Sequence, residues 1–438
     1  MRKLTLRKEF AYKQSPDPAG IISVMSNAPF FKTDELMNEL DDYKNEMQDE
    51  LKKILSWWMT NTIDNEKGGF IGKIDHTNKP YPQAAKGAVL NSRILWAFSS
   101  AYNLTGDKNY LSIAGRAFNY ITEHFIDKEF GGVYWTVDSN GSPLDTKKQI
   151  YALAFAMYGL SEYHIASKDE NAKEKAIEIY HDIVEHSYDN EYGGYTEALT
   201  KDWKEIGDLR LSTKDANEKK SMNTSLHVLE AFSNLYRVWK DESLKQKIIE
   251  LIRIFLDHII DNRTHHLILF FDELWYPKSN IISYGHDIEA AWLIQEAAEI
   301  VDDDNLLNGV KNISVKIADA AVKGLDGDGG LWYEYDVSQN HLIRQKHSWP
   351  QAEAMVGFFN AWQITRDKKY LNHSFHSWQF VKEYMVDKNL GEWYWGVNAD
   401  HSPMTEQDKV GVWKCPYHNS RACMEIIRRI DNIFKEKI

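Results

Sequence analysis

Two cysteines in 438 residues, Cys415 and Cys423, are too few for a structural disulfide framework. Such scarcity fits a reducing compartment. No run of about 18 apolar residues occurs, so no segment reads as a membrane span. The opening "MRKLTLRKEFAYKQSPDPAG" carries positive charge but no apolar stretch behind it, so it does not read as a secretory signal. The expected home is the cytoplasm. Lys/Arg runs are missing too, and the net charge is −13, which argues against nucleic acid as a partner. There is no glycine-rich phosphate loop, no dinucleotide fingerprint and no HExxH. No Pro/Gly/Ser-rich linker divides the chain.

Aromatic residues are abundant instead: 15 Trp, 23 Tyr and 18 Phe. They serve either a large core or a cleft with flat platforms for sugars. Glycine-aromatic segments recur along the chain. They are "GGFIGKID" from Gly68, "GGVYWTVD" from Gly131, "GGYTEALT" from Gly193, "HHLILFFDE" from His265, "GGLWYEYD" from Gly329 and "GEWYWGVN" from Gly391. Their starts stand 62–72 residues apart, which makes six units. Each reads as a short strand or hairpin arm.

Between these segments lie paired helical patterns. "AVLNSRILWAFSSAYNLTG" is apolar almost all round, which marks a helix buried on all sides. "DKNYLSIAGRAFNYITEHFID" is amphipathic, and the glycine and aspartate of "TGDKNY" punctuate the break. From "DELKKILSWWMTNTID" to "NSRACMEIIRRI" the pattern predicts about twelve helices, six buried and six amphipathic. The packing solution is an all-α closed double ring, an (α/α)6 barrel, with the glycine-aromatic segments at one end. Closure leaves no terminal repeat to cap. Residues 1–34 lack the pattern and are expected to be an N-terminal extension, with 35–438 as one catalytic domain.

Aligning the six buried helices on their apolar ends sets one column of Arg93, Phe155, His227, Glu289, Glu353 and Arg421. Four residues earlier stand Val89, Tyr151, Asn223, Gly285, Trp349 and Tyr417. Three residues earlier stand Leu90, Ala152, Thr224, His286, Pro350 and His418. These columns lie one turn apart on one face. A purely structural face would repeat its chemistry from unit to unit; this one changes. His124, His186 and His258 behave differently. Each stands seven residues before its glycine-aromatic segment, in the last turn of an outer helix, where a histidine suits the helix dipole. They are read as structural. Charged groups on buried helices need partners or a ligand, so the varied columns predict either a satisfied polar belt or a lined cavity at the barrel mouth.

Histidines, arginine and carboxylates without a complete metal-ligand set point to proton transfer. Histidine titrates near working pH, and arginine would stabilise an enediolate.

"KSMNTSLHVLEAF", "YGHDIEAAWLIQEAAE", "HSWPQAEAMVGFFNAWQ" and "KCPYHNSRACMEI" resemble the inner-helix motifs of cellobiose 2-epimerases in the N-acylglucosamine 2-epimerase superfamily. The resemblance spans roughly residues 40–435. It implies cofactor-free epimerisation at C2 of the reducing-end glucose of β-1,4-disaccharides such as cellobiose or lactose, without a metal. It also implies His286 and His418 as the acid/base pair, and His227 in ring opening with Arg93 and Asn223 beside it. Tyr151 and Glu289 would support the sugar hydroxyls, with Glu289 orienting His286. Trp349 and Trp413 would flank the sugar. Glu353 is expected in the substrate-binding set from its place in the column, not from the resemblance. The expected partner is a disaccharide, with the protein a monomer or weak homodimer.

Three rivals stand beside this reading. An aldose–ketose isomerase of the mannose isomerase type would use the same enediolate. An inverting (α/α)6 glycoside hydrolase would use Glu289 and Glu353, which must then stand about 6.5–9.5 Å apart. A non-catalytic sugar-binding module would use the aromatics alone.

Overall fold

The alternation of buried and amphipathic helical patterns folds as a double ring. The computed structural model describes residues 33–436; most of the expected N-terminal extension, residues 1–32, lies outside them. The amphipathic outer helices are α1 (Asp34–Asn61), α3 (Lys108–Tyr120), α5 (Glu170–Ser187), α7 (Glu242–Ile254), α9 (Asp304–Val322) and α11 (Lys368–Phe380). The inner helices are α2 (Ala88–Thr105), α4 (Ile150–Ser167), α6 (Met222–Val238), α8 (Tyr284–Val301), α10 (Ser348–Thr365) and α12 (Tyr417–Lys435). Each inner helix packs on the next, and α12 packs on α2 to close the ring.

The expected first helix begins near residue 49, but α1 begins at Asp34. Thr33 caps it by accepting from the Leu36 amide at 3.2 Å, and Met37, Leu40, Tyr43 and Met47 carry its buried stripe back to that cap. Asp107, Asp169, Asp241, Asp303 and Asp367 cap the other five outer helices.

The residues just before each of five inner helices form a short strand that pairs antiparallel with an arm in the following unit. Lys86–Gly87 pairs with Thr136–Val137, Lys148–Gln149 with Ala198–Leu199, Lys220–Ser221 with Phe270–Phe271, Ile281–Ser283 with Glu334–Asp336, and Lys346–His347 with Gly396–Val397. A bridge between Ile74 and Val410 joins the last unit to the first. This lacing fixes where inner helices start, which is why the sequence columns share one depth.

Buried lysines hold the lacing together. Lys86, Lys148, Lys220, Lys346 and Lys409 reach Asp64, Asp127, Asp189, Asp326 and Asp387 at 2.7–2.9 Å. Four of them also donate to the carbonyls of Gly68, Gly131, Gly193 and Gly391. Removing one partner of such a pair leaves the other charge buried and unpaired. Lys148→Met is therefore expected to cost about 3–5 kcal/mol, read as a lower urea midpoint; an unchanged midpoint would show that the lysine is dispensable.

The three histidines read as structural sit on the periphery. His186 stacks on Trp203 and His258 on Trp275, with ring centroids 4.3 and 5.3 Å apart, and His124 Nδ1 meets the Gly141 carbonyl at 3.2 Å. No described helix is long and apolar enough to cross a membrane.

Candidate active site

The N-terminal ends of the inner helices surround a cavity of 530 Å³. Its wall includes Arg93 from α2, Tyr151 from α4, Asn223 and His227 from α6, His286 and Glu289 from α8, Trp349 from α10 and His418 from α12. Trp413, just before α12, lines it too. Nine of the ten residues singled out from the sequence therefore meet in one place.

Glu353 is the exception. It is buried behind the wall, where Oε1 meets His418 Nδ1 at 2.7 Å and Oε2 accepts from Trp292 Nε1 at 3.0 Å. It holds a histidine rather than lining the cavity.

A second expectation also changes. Glu289 shares a helix face with His286, yet it is taken by Arg421, whose Nη2 donates to Glu289 Oε1 at 2.8 Å and to Glu353 Oε1 at 2.6 Å. His286 Nδ1 instead meets the Ser283 hydroxyl at 2.8 Å. A guanidinium attracts two carboxylates more strongly than a neutral imidazole attracts one.

Arg421 is the hub. Its Nη1 also donates to Glu230 and to the Tyr417 hydroxyl, and the Tyr417 hydroxyl donates to Glu230. The other Glu230 oxygen meets His227 Nδ1 at 2.8 Å. Arg93 donates to the Tyr151 hydroxyl at 2.8 Å, and its guanidinium carbon lies 4.1 Å from the Phe155 ring centre.

The cluster holds two guanidinium groups and three carboxylates, so it balances only with one further proton. Burial pulls the Glu230 carboxyl upward, but Arg421, His227 and Tyr417 together hold it down at about 2. Burial and then the Glu353 charge raise Glu289, which makes it the holder for that proton. Burial pushes His286 down to about 3 and lowers His227. Burial, then Arg93 and Arg421, push His418 well below the ordinary histidine range. All three rings are thus neutral at rest.

Because carboxylates only accept, His227 and His418 must keep their protons on Nδ1, and each turns an Nε2 lone pair the other way.

Trp349 stands between the two other histidines, with ring centroids 4.7 Å from His286 and 5.7 Å from His418. Gly285 makes room for it: a Cβ there would meet the indole at 2.6 Å. Trp413 meets Tyr151 edge-on at 5.8 Å. Loop residues Leu211–Asp215, with Tyr333, Glu334, His347 and Trp395, complete the mouth. Within this shell the Asn223 Oδ1 has no partner among the described residues, an acceptor left open for a ligand hydroxyl.

Glu289, Glu353 and His418 bring ligand atoms within 4.8 Å of one another, as a metal site would. Arg421 already places its Nη2 against both carboxylates, so the positive charge at that point comes from the protein. The same closeness is shorter than the carboxylate spacing of an inverting hydrolase.

The model for N-acylglucosamine 2-epimerase (GlcNAc 2-epimerase) matches residues 69–422. The chain belongs to the N-acylglucosamine 2-epimerase family. It is 49% identical over 385 residues to the cellobiose 2-epimerase of Bacteroides fragilis, covering 88% of this chain and 98% of that protein. The structure of cellobiose 2-epimerase from Spirochaeta thermophila superposes with a TM-score of 0.86 at 38% identity, over 92% of this chain and all of that one. A D-mannose isomerase of Marinomonas mediterranea is more distant, 23% identical over 89% of this chain and 98% of its own. These relatives agree with the (α/α)6 barrel expected from the repeats and with a carbohydrate epimerase.

Sequence reasoning left four residues of the network out of the site. Glu230 follows His227 at the same three-residue spacing as Glu289 follows His286, so its signal was present. Arg421 and Tyr417 stood in the columns without a role. Ser283 sits one residue before α8, where serine ordinarily signals only a helix cap. Trp395 stands in the last glycine-aromatic segment without a role assigned to it, and the 211–215 loop carries no periodic signal.

Proposed function

We propose that the protein epimerises C2 of the reducing-end glucose in β-1,4-disaccharides, turning cellobiose into glucosyl-mannose and lactose into epilactose, with no cofactor. The observation that carries this reading is the pair His286 and His418, on α8 and α12, each held from Nδ1 beside Trp349. His227, held by Glu230, assists ring opening at O1. Arg93 and Asn223 take the C1 and C2 oxygens.

One histidine accepts the C2 proton on Nε2, and the electron pair passes into a C1–C2 enediolate, stabilised by Arg93. The second histidine, having taken up the proton that Glu289 holds at rest, delivers it to C2 from the opposite face. The pair ends with its protonation exchanged, and no electron leaves the substrate. Trp349 and Trp413 supply the stacking faces for the sugar.

The test is incubation of chelator-treated protein with cellobiose in D₂O, followed by NMR. Glucosyl-mannose with deuterium at C2 is the expected product. Free glucose would overturn the reading in favour of hydrolysis, and a ketose as the main product would convert it to an aldose–ketose isomerase.

A further inference from the structure

The three site histidines are not held alike. His227 and His418 face carboxylates, Glu230 and Glu353, at 2.8 and 2.7 Å. His286 faces the hydroxyl of Ser283. A carboxylate only accepts, whereas a hydroxyl both donates and accepts.

The position of Ser283 in the repeat sharpens the contrast. Ser221 stands at the equivalent point before α6, and its hydroxyl does what serine does there: it accepts from the Thr224 amide at 3.0 Å and caps the helix. Ser283 is the N-cap of α8 but makes no side-chain cap bond. The residue equivalent to Thr224 is His286, and its ring has drawn the hydroxyl away from the backbone. Ser283 is buried, 1% exposed, so water does not compete for the bond.

We propose that Ser283 is a positioning residue that sets the tilt of His286 and leaves both of its neutral tautomers open. Donation from Oγ to Nδ1 places the ring proton on Nε2, toward the cavity. Donation from Nδ1–H to Oγ leaves Nε2 with a lone pair. When Nε2 takes the C2 proton, the imidazolium donates its Nδ1–H to Oγ, the hydroxyl proton turns away, and Ser283 loses nothing. His418 and His227 lack this latitude, since Glu353 and Glu230 fix their Nδ1 protons. The acid/base pair is thereby asymmetric, with one ring of fixed tautomer and one of free tautomer on opposite faces of C2. This assignment rests on the epimerase reading above.

The asymmetry is read by following where the enediolate is reprotonated. Cellobiose is turned over to low conversion in D₂O, and C2 deuterium is measured by NMR in recovered cellobiose and in the epimer. Ser283→Ala is expected to lower kcat about tenfold or more, a fraction of what a general base supplies. KM should stay within about twofold, because ground-state binding does not use this hydroxyl. The ratio of the two deuterium contents should shift, because one face loses its tuned histidine. Ser283→Thr keeps the hydroxyl and should restore kcat and ratio together. Ser221→Ala, which removes a true cap, should lower thermal stability and leave the ratio unmoved.

Ser283→Ala with parental kcat and ratio would overturn the proposal. So would equal activity losses in Ser283→Ala and Ser221→Ala with the ratio unchanged, which would mark a structural role. A parent enzyme that places no deuterium at C2 fails earlier and overturns the proton-transfer reading itself, with this assignment.

Discussion

His418→Ala and His286→Ala are each expected to lower kcat/KM for cellobiose about 10³-fold or more, within the range that a positioned acid or base supplies. The fold should persist in both. In His418→Ala, Glu353 keeps Arg421 and Trp292 as partners, so no buried charge is stranded. In His286→Ala, the Ser283 hydroxyl is left beside a backbone amide it can cap. Loss of activity with an unchanged unfolding midpoint is the expected signature. A variant with a near-parental rate would remove that histidine from catalysis.

The pH profile of the parent follows from the same burial. A base works only unprotonated, and His286 is held down at about 3, with His418 also below the ordinary range. Their free-base forms persist as pH falls through 6.5, the usual histidine value. The acid limb of kcat/KM, which reports the free enzyme, should therefore lie below that of an exposed histidine. An acid limb centred at 6.5 or above would contradict the burial.

Arg421→Met is expected to have the largest effect on stability. The guanidinium serves Glu230, Glu289, Glu353 and the Tyr417 hydroxyl, and it is 1% exposed. Removing it leaves carboxylates packed together without a cation, and such a loss costs about 3–5 kcal/mol. Arg421→Lys should recover little, because one ammonium cannot span the positions of a fork.

The sign with pH is fixed as well. Glu230 is held at about 2 in the folded parent, below its value of 4.5 when exposed. Its contribution is complete above the unfolded value and fades as pH falls toward the folded one. The deficit of Arg421→Met should be full at pH 7 and shrink between about pH 5 and 3, read by urea midpoints at each pH. A variant as stable as the parent at pH 7 would show that the carboxylates do not depend on this arginine.

The two corrected residues show where sequence legibility stops. His286 and Glu289 stand three apart, a spacing that places two side chains on one face without stating whether either has a stronger partner elsewhere. Arg421 lies 132 residues from Glu289 and reaches it from α12 across the barrel. Its pull is Coulombic and acts at short range in a dry interior, so it outbids the neighbour on the same helix. Glu353 followed the same course, assigned to substrate by its column and claimed by His418 and Arg421 in the fold.

Sequence alone determined the barrel, its twelve helices and the shared depth at which eight of the expected residues line the cavity. Each of these follows from local periodicity, caps and a repeat that brings every inner helix to the same starting level. The tertiary structure decided which carboxylate holds which histidine, that a serine rather than a glutamate holds His286, and which loop residues close the mouth. The choices turn on Arg421, a competitor distant in the chain, and spacing along a helix carries no information about such a competitor.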